Sequence, residues 1–376
     1  MEHYLDNSAT TRVCPEAAEA ALKAMTENYG NPSSTHTKGR EAKRLLDESR
    51  RQAASALGCT PQELVFTSCG SESDNWAILK GAELMRRRGR HVISSAVEHD
   101  AVLKSLEELE RQGYEVTRLR PDRTGAISVQ SVLDALREDT ILVSLMLVNN
   151  ETGAVTDIAA IARAMKKAAS QALLHTDAVQ AFMKLPFTVK SLGADMISVS
   201  GHKIHAPKGI GALYIREGLK LKPYILGGSQ ESGRRAGTEA MPQIAAFGAA
   251  CAAAKALFRE NTEHMAALRR LAIEELSREI PELVVIGGGA PHILSISLPG
   301  WRSEVLMNFL EEREVYVSKS SACKKGGRSH VLEAMGLEPR VIDGAIRIGL
   351  SRFSTREDIY ALRDGLREAR ERLAHA

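Results

Sequence analysis

Between Leu64 and Ile215 short apolar runs alternate with helix-period segments, and this alternation limits the fold more than any other feature of the chain. Strands are predicted at 64–67, 91–95, 114–119, 140–148, 173–177, 194–199 and 211–215. Helices are predicted at 76–88, at 129–137 and from Glu98-His99 onward. Strand, helix, strand, helix is the pattern of a mostly parallel sheet covered on both faces. Loops at the carboxyl ends of such strands carry chemistry. Lys203 stands in one of them, in the turn Ser200-Gly201-His202-Lys203, ahead of Pro207 and Gly209.

Around this block the chain reads in two further parts. Residues 1–14 form a polar extended arm that lies over something. A helix is predicted from Pro15 to about residue 28, with proline at its first position and Gly30 past its end. A second helix is predicted at 37–57. Beyond the sheet, 242–278 reads as one long alanine-rich helix bridging to a smaller domain. Strands at 283–286, 292–298, 315–318 and 345–350 are predicted there, with helices at 304–312 and from Thr355. The expected division is a large α/β domain at 15–250, and a small α+β domain made of 1–14 and 251–376.

Composition excludes several classes. A net charge of +3 among 50 basic and 47 acidic residues gives no strong pull toward nucleic acid or membrane. No apolar run approaches spanning length, and the first residues lack an apolar signal core. Five cysteines, an odd number without a Cys-x-x-Cys pair, argue against a disulfide framework and a zinc site. The expectation is a cytoplasmic protein with no bound metal.

Several stretches carry candidate chemistry, each with an ordinary alternative. Gly70 and Ser71, at a strand-to-helix junction, suit an anion through backbone N–H groups; Ser71 or Ser73 capping the helix needs no ligand. His99 could lie on a flat cofactor and trade protons, or cap its helix. Asn149 and Asn150 close a strand. Asp177, at a strand end, needs a cation or an N-cap role, and Gln180 follows it by three residues. Arg347, among apolar neighbours, needs a carboxylate; a bound ligand and a structural salt bridge both supply one. Cys323 lies in a small polar stretch with Lys324, Lys325 and Arg328, which favour its thiolate. The other four cysteines read as inert small hydrophobes.

In order along the chain stand YLDNSATT (4–11), GNPSS (30–34), FTSCGSESDN (66–75), Glu98-His99, VNNETG (148–153), HTDAVQ (175–180), the Lys203 turn, RAGTE (235–239) and SAC (321–323). The chain resembles, over nearly its whole length, the cysteine desulfurases of the NifS/IscS group within the class V aminotransferase-like pyridoxal-phosphate enzymes. The resemblance implies fold type I and pyridoxal 5'-phosphate bonded covalently to Lys203. Gly70, Ser71, Ser200 and His202 would hold the phosphate, Asp177 the pyridine nitrogen and Gln180 the phenolic oxygen. His99 would lie on the ring, and Asn150 and Arg347 would serve the substrate. It implies that Lys203 moves the α-proton of L-cysteine and that Cys323 takes the sulfur as a persulfide. A sulfur acceptor, either an iron–sulfur scaffold or a tRNA- or cofactor-thiolation protein, would follow.

A homodimer is also implied, with Thr238 reaching the phosphate of the neighbouring subunit from a glycine-rich loop at 227–238 expected to be mobile. Ser229 and Ser232 depart from the family's usual Gly and Arg. The loop around Cys323 is shorter and more basic than usual. A class V aminotransferase or a selenocysteine lyase would keep the Lys203 site without needing Cys323.

Overall fold

The computed structural model describes residues 2–319 and 327–373. Its centre is a seven-stranded sheet in the order Leu64–Thr67, Gly211–Ile215, Met196–Ser200, Leu173–Asp177, Thr140–Ser144, His91–Ser95, Glu115–Leu119. Only Gly211–Ile215 runs against the rest, antiparallel to both its neighbours. Six of these strands are buried along their whole length, as a sheet covered on both faces requires. The seventh, Glu115–Leu119, is the edge, and its charges are met by Arg118–Glu110 and Arg137–Glu115 pairs.

The register of the antiparallel strand brings two loops together. Gly211 pairs with Thr67 on one side and with Ser200 on the other. A Cβ at Gly211 would lie 2.8 Å from the Cys69 carbonyl carbon and 2.8 Å from Val199 O, so the position takes glycine only. The helix that starts after Thr67 and the lysine turn that follows Ser200 thus begin side by side.

A four-stranded antiparallel sheet forms a second layer, in the order Ser318–Lys319, Ala345–Gly349, Ile293–Ser297, Val284–Ile286. Its apolar face (Leu294, Ile296, Ile346, Ile348) packs on Leu268, Leu276, Leu306, Leu310, Ile359 and Leu366 from three helices, Phe258–Glu279, Ser303–Glu311 and Arg356–Arg372. The N-terminal arm is tied to this layer. His3–Tyr4 pairs in parallel with Val315–Tyr316, and Leu5 is buried in the same core.

Four predicted elements differ in the structure: the strand expected at 140–148 ends at Ser144, and three others depart further. The bridge is two helices, Met241–Ala256 and Phe258–Glu279, bent by 75° at Leu257. Each half buries a different side. The first is alanine-rich and packs on the helices Pro15–Thr26 and Thr37–Leu57, whereas the second turns Leu268, Ala272 and Leu276 to the small sheet. The strand expected at 315–318 is split, Val315–Tyr316 serving the arm and Ser318–Lys319 the small sheet. The helix expected from residue 76 starts at Gly70. No single described helix is long and apolar enough to cross a membrane.

Candidate active site

The carboxyl ends of five parallel strands and the arm enclose a cavity of about 330 Å³. Its lining includes Gly70, Ser71, His99, Asn150, Asp177, Gln180, Ser200, His202, Lys203 and Arg347. Every predicted site residue among the described ones is therefore present except Thr238, which is exposed and outside this lining. Cys323 lies outside the described residues; its neighbours Ser318 and Arg328 do not. Arg328 lines the cavity but is committed to a bidentate pair with Asp343, at 2.7 and 2.8 Å.

Lys203 is placed by the last strand of the parallel set and the short 3-10 turn Gly201–Lys203. Its Nζ donates to Ser8 O at 2.6 Å and to Ala9 O at 2.7 Å, both on the arm. Burial, then the Arg347 charge, pushes its pKa down to about 8, as a nucleophilic amine needs. The arm is held over the turn by Thr11, whose hydroxyl donates to His202 O and accepts from His205 N.

Asp177 ends its strand buried, with Oδ1 accepting from Val179 N at 2.8 Å. Burial raises its pKa, while His99 and Lys203 act in the opposite sense. His99 has both roles open to it: Nδ1 accepts from Ala101 N at 3.1 Å as the helix cap, and the ring lines the cavity. With Nδ1 accepting, the neutral ring carries its hydrogen on Nε2. Asn149 and Asn150 divide their work. Asn149 is structural, receiving Glu151 N and Thr152 N and donating to Val97 O. Asn150 turns to the cavity and gives its carbonyl to Arg347 Nη1 at 2.8 Å.

The opposite wall is the start of helix Gly70–Met85, whose first amides have no acceptor within the helix. Gly70 packs so closely that a Cβ would lie 2.7 Å from Val179 Cγ2. The early start of this helix comes from tertiary contacts. Glu72 accepts from Ser68 N at 2.8 Å and is gripped by Arg235 at 2.9 and 3.1 Å. Across from these amides, the buried Ser200 Oγ has no partner, and His202 is kept neutral, its pKa pushed to about 4 by burial. Gln180 donates to Ser8 O at 2.9 Å, leaving Oε1 buried and unpartnered, so its donor faces the arm rather than a ligand.

These orphaned groups suit a phosphorylated pyridine aldehyde. Unpaired amides at a helix start and the Ser200 hydroxyl fit the phosphate. Asp177 fits a protonated ring nitrogen, and a lysine with weakened proton affinity fits the aldehyde.

Several cavity residues had no expected role. Ser8 and Ala9 act through their carbonyls, which leave no trace in a side-chain pattern. Asp74, Glu98 and Glu151 are buried acids in the lining, and Glu98 and Glu151 are pushed up to about 8 and about 7 by burial. Three acids near strand ends was the available signal. Cys69 also lines the cavity, unlike the other described cysteines. The 227–238 loop is pinned, not free. Buried Glu231 holds Arg50 through both oxygens and accepts from Phe66 N at 2.9 Å.

Comparison with known proteins agrees with this geometry. The aminotransferase class-V family model matches residues 3–362. The cysteine desulfurase IscS of Methanosarcina thermophila is 43% identical over 361 residues, spanning 95% of this chain and 89% of that protein. A solved NifS-like protein superposes with a TM-score of 0.94 at 36% identity, covering 99% of this chain and 100% of its own. SspA, solved in complex with cysteine, gives 0.81 at 32% identity, covering 94% and 100%. A cavity with a lysine and an aspartate at parallel strand ends, and a family match along nearly the whole chain, lead to one assignment: this chain belongs to the class-V aminotransferase family, the pyridoxal 5'-phosphate enzymes of fold type I.

Proposed function

We propose that this protein is a pyridoxal 5'-phosphate-dependent cysteine desulfurase, converting L-cysteine to L-alanine with transfer of the sulfur to Cys323. The observation that carries the reading is the convergence of Lys203, Asp177 and Arg347 on one cavity, in a chain whose similar relatives are cysteine desulfurases. Bound pyridoxal 5'-phosphate supplies an electron sink that acidifies the α-proton of an amino acid.

The chain's own residues do the rest. The Gly70 and Ser71 amides, with Ser200 and His202, would hold the phosphate. Asp177 would keep a proton on the pyridine nitrogen, and Gln180, once released from Ser8, would serve the phenolic oxygen. His99 would lie against the ring. Arg347 and Asn150 orient the substrate carboxylate, with Asp6 yielding its place on Arg347. Lys203, its proton affinity lowered by burial, would take the α-proton and return it nearby. The Cys323 thiolate attacks the substrate sulfur; a new S–S bond forms as the C–S bond breaks, leaving a persulfide on the enzyme and alanine as product.

Further parts of the reading concern assembly and context. The chain divides into a large domain at 15–250 and a small domain of 1–14 with 251–376, which carries Cys323. It forms a homodimer in which Thr238 completes the neighbouring phosphate site, which accounts for the exposure of Thr238 away from its own cavity. It works in the cytoplasm and passes sulfur to an iron–sulfur scaffold or a thiolation protein.

The test is the absorbance of the purified protein before and after L-cysteine, with alanine and sulfide measured. A visible cofactor band that changes with cysteine is expected. Cys323→Ser should keep the band and lose sulfide release. A band indifferent to cysteine, or sulfide release that survives Cys323→Ser, overturns the assignment.

A further inference from the structure

The cavity is lined by five carboxyl side chains, Asp100 and Glu151 among them, where the proposed reaction uses one. Asp74 from helix Gly70–Met85, Glu98 from the loop after His91–Ser95, and Asp177 all line it, and all three are buried. Asp74 Oδ1 and Glu98 Oε2 have no hydrogen-bond partner among the described residues. Beside the cluster, His330 Nε2 lies 3.1 Å from Glu98 O. Ser95 donates to Glu98 Oε1, as does Met146 N at 3.2 Å. From strand Met196–Ser200, Ser198 faces Asp74 and lies 3.0 Å from His175 Nε2; from helix Gly70–Met85's cap, Cys69 faces Asp74. His99 and Lys203 face Asp177.

Charge around the three acids is uneven. His99 and Lys203 act to lower the proton affinity of Asp177. Asp177, Glu98 and Cys69 raise the proton affinity of Asp74, Asp177 raises that of Glu98, and neither acid forms an ion pair with a lysine or arginine among the described residues. His175 Nε2 lies 3.6 Å from Asp74 Oδ1 but offers no charge, because burial holds the imidazole neutral, at about 3. A buried carboxylate without a cation gives up its charge rather than its stability. Two ionised neighbours would also raise the proton affinity of Asp177 and remove it as the partner of a pyridinium.

We propose that Asp74 and Glu98 are positioning residues that carry their protons in the working enzyme, leaving Asp177 as the one anion of these three acids. The proposal rests on the reading that the cavity takes a cofactor with a pyridine nitrogen. A pyridine nitrogen bound here would be held protonated by Asp177, while Asp74 and Glu98 keep their own hydrogens. Asp74 then contributes an O–H among Ser198 and His175, and Glu98 an O–H at its unpartnered oxygen. The protonated acid with an apolar setting is a known device for keeping a carboxyl neutral near pH 7.

Infrared spectroscopy of protein reconstituted with pyridoxal 5'-phosphate tests this. With ¹³C-carboxyl aspartate incorporated, the holoenzyme should show a protonated-carboxyl stretch that moves with the label, and Asp74→Asn should remove it. A second such stretch, insensitive to the aspartate label, should disappear in Glu98→Gln. If Asp74→Asn does not fold, Asp177→Asn asks the same question, because the label-sensitive band must survive it. A holoenzyme without the label-sensitive band, or one whose band survives Asp74→Asn or vanishes in Asp177→Asn, overturns the proposal. A protein that takes up no cofactor overturns the reading of the cavity instead.

Discussion

Arg347 and Asp6 meet at 3.2 Å, so a strand of the small sheet grips the N-terminal arm beside Lys203. Arg347 is almost fully buried, and its other hydrogen bonds go to Asn150 O and Ser318 Oγ, both at 2.8 Å, with Nε left unpartnered. The arginine thus has a protein carboxylate in the ligand-free chain and a spare donor beside the cavity. The salt bridge is present in the ligand-free chain, and the proposed substrate clamp would use the same side chain once Asp6 lets go.

Asp6→Asn keeps an accepting oxygen but removes the negative charge opposite that buried guanidinium, and should destabilise the protein by about 1–3 kcal/mol, read by urea unfolding. Arg347→Lys keeps the charge but loses the planar fork, so KM for cysteine should rise at least about tenfold. Steady-state kinetics with KM unchanged would exclude Arg347 from substrate binding.

Lys203 also makes stability depend on pH in the cofactor-free protein. Its proton is bound less tightly in the folded chain, at about 8 against 10.5. Between those values the unfolded chain holds more protons, so stability rises with pH across the window. The rise for this residue is about 3 kcal/mol at most. Buried Lys184, pushed down to about 7 by burial, acts in the same direction from a lower pH. Unfolding free energies measured from pH 7 to 10 should climb in the native chain and climb less in Lys203→Met.

Glu231 should be a stability residue, although it sits in a loop that composition marks as loose. Glu231→Gln unpairs Arg50, whose side chain is mostly buried, and weakens the bond from Phe66 N. A loss of about 3–5 kcal/mol is expected, visible as a lower denaturation midpoint at unchanged slope.

His99 can be separated into its two roles. His99→Ala removes the helix cap and should cost about 1 kcal/mol, whereas Asn caps well and should restore it. Both variants lose the ring over the cavity, so both should show reduced kcat. Full activity in His99→Asn would leave capping as the residue's whole function.

The parallel sheet was legible because its strands are short, apolar and separated by helix-period segments of adequate length. The same logic located the lysine turn and the Asp177 strand end, since a charged side chain closing a buried run costs free energy unless it caps a helix or meets an opposite charge. The Met241–Ala256 and Phe258–Glu279 break was not legible. Leu257 is neither glycine nor proline, and the helix bends there because its halves face different cores. The start of helix Gly70–Met85 was missed for a related reason: its small polar residues favour a loop locally, and the Arg235–Glu72 grip decides otherwise.

What the sequence by itself determined is the order of strands and helices and the identity of the reactive side chains, because hydrophobic period and residue chemistry are local properties. What only the tertiary structure decided is which groups share a space. Ser8 and Ala9 carbonyls reach Lys203 from more than 190 positions away. Asp6 meets Arg347 across most of the chain, and Asp74, Glu98 and Asp177 gather at one floor. Burial, orphaned hydrogen-bond groups and shifted proton affinities arise from those long-range contacts, and no local pattern encodes them.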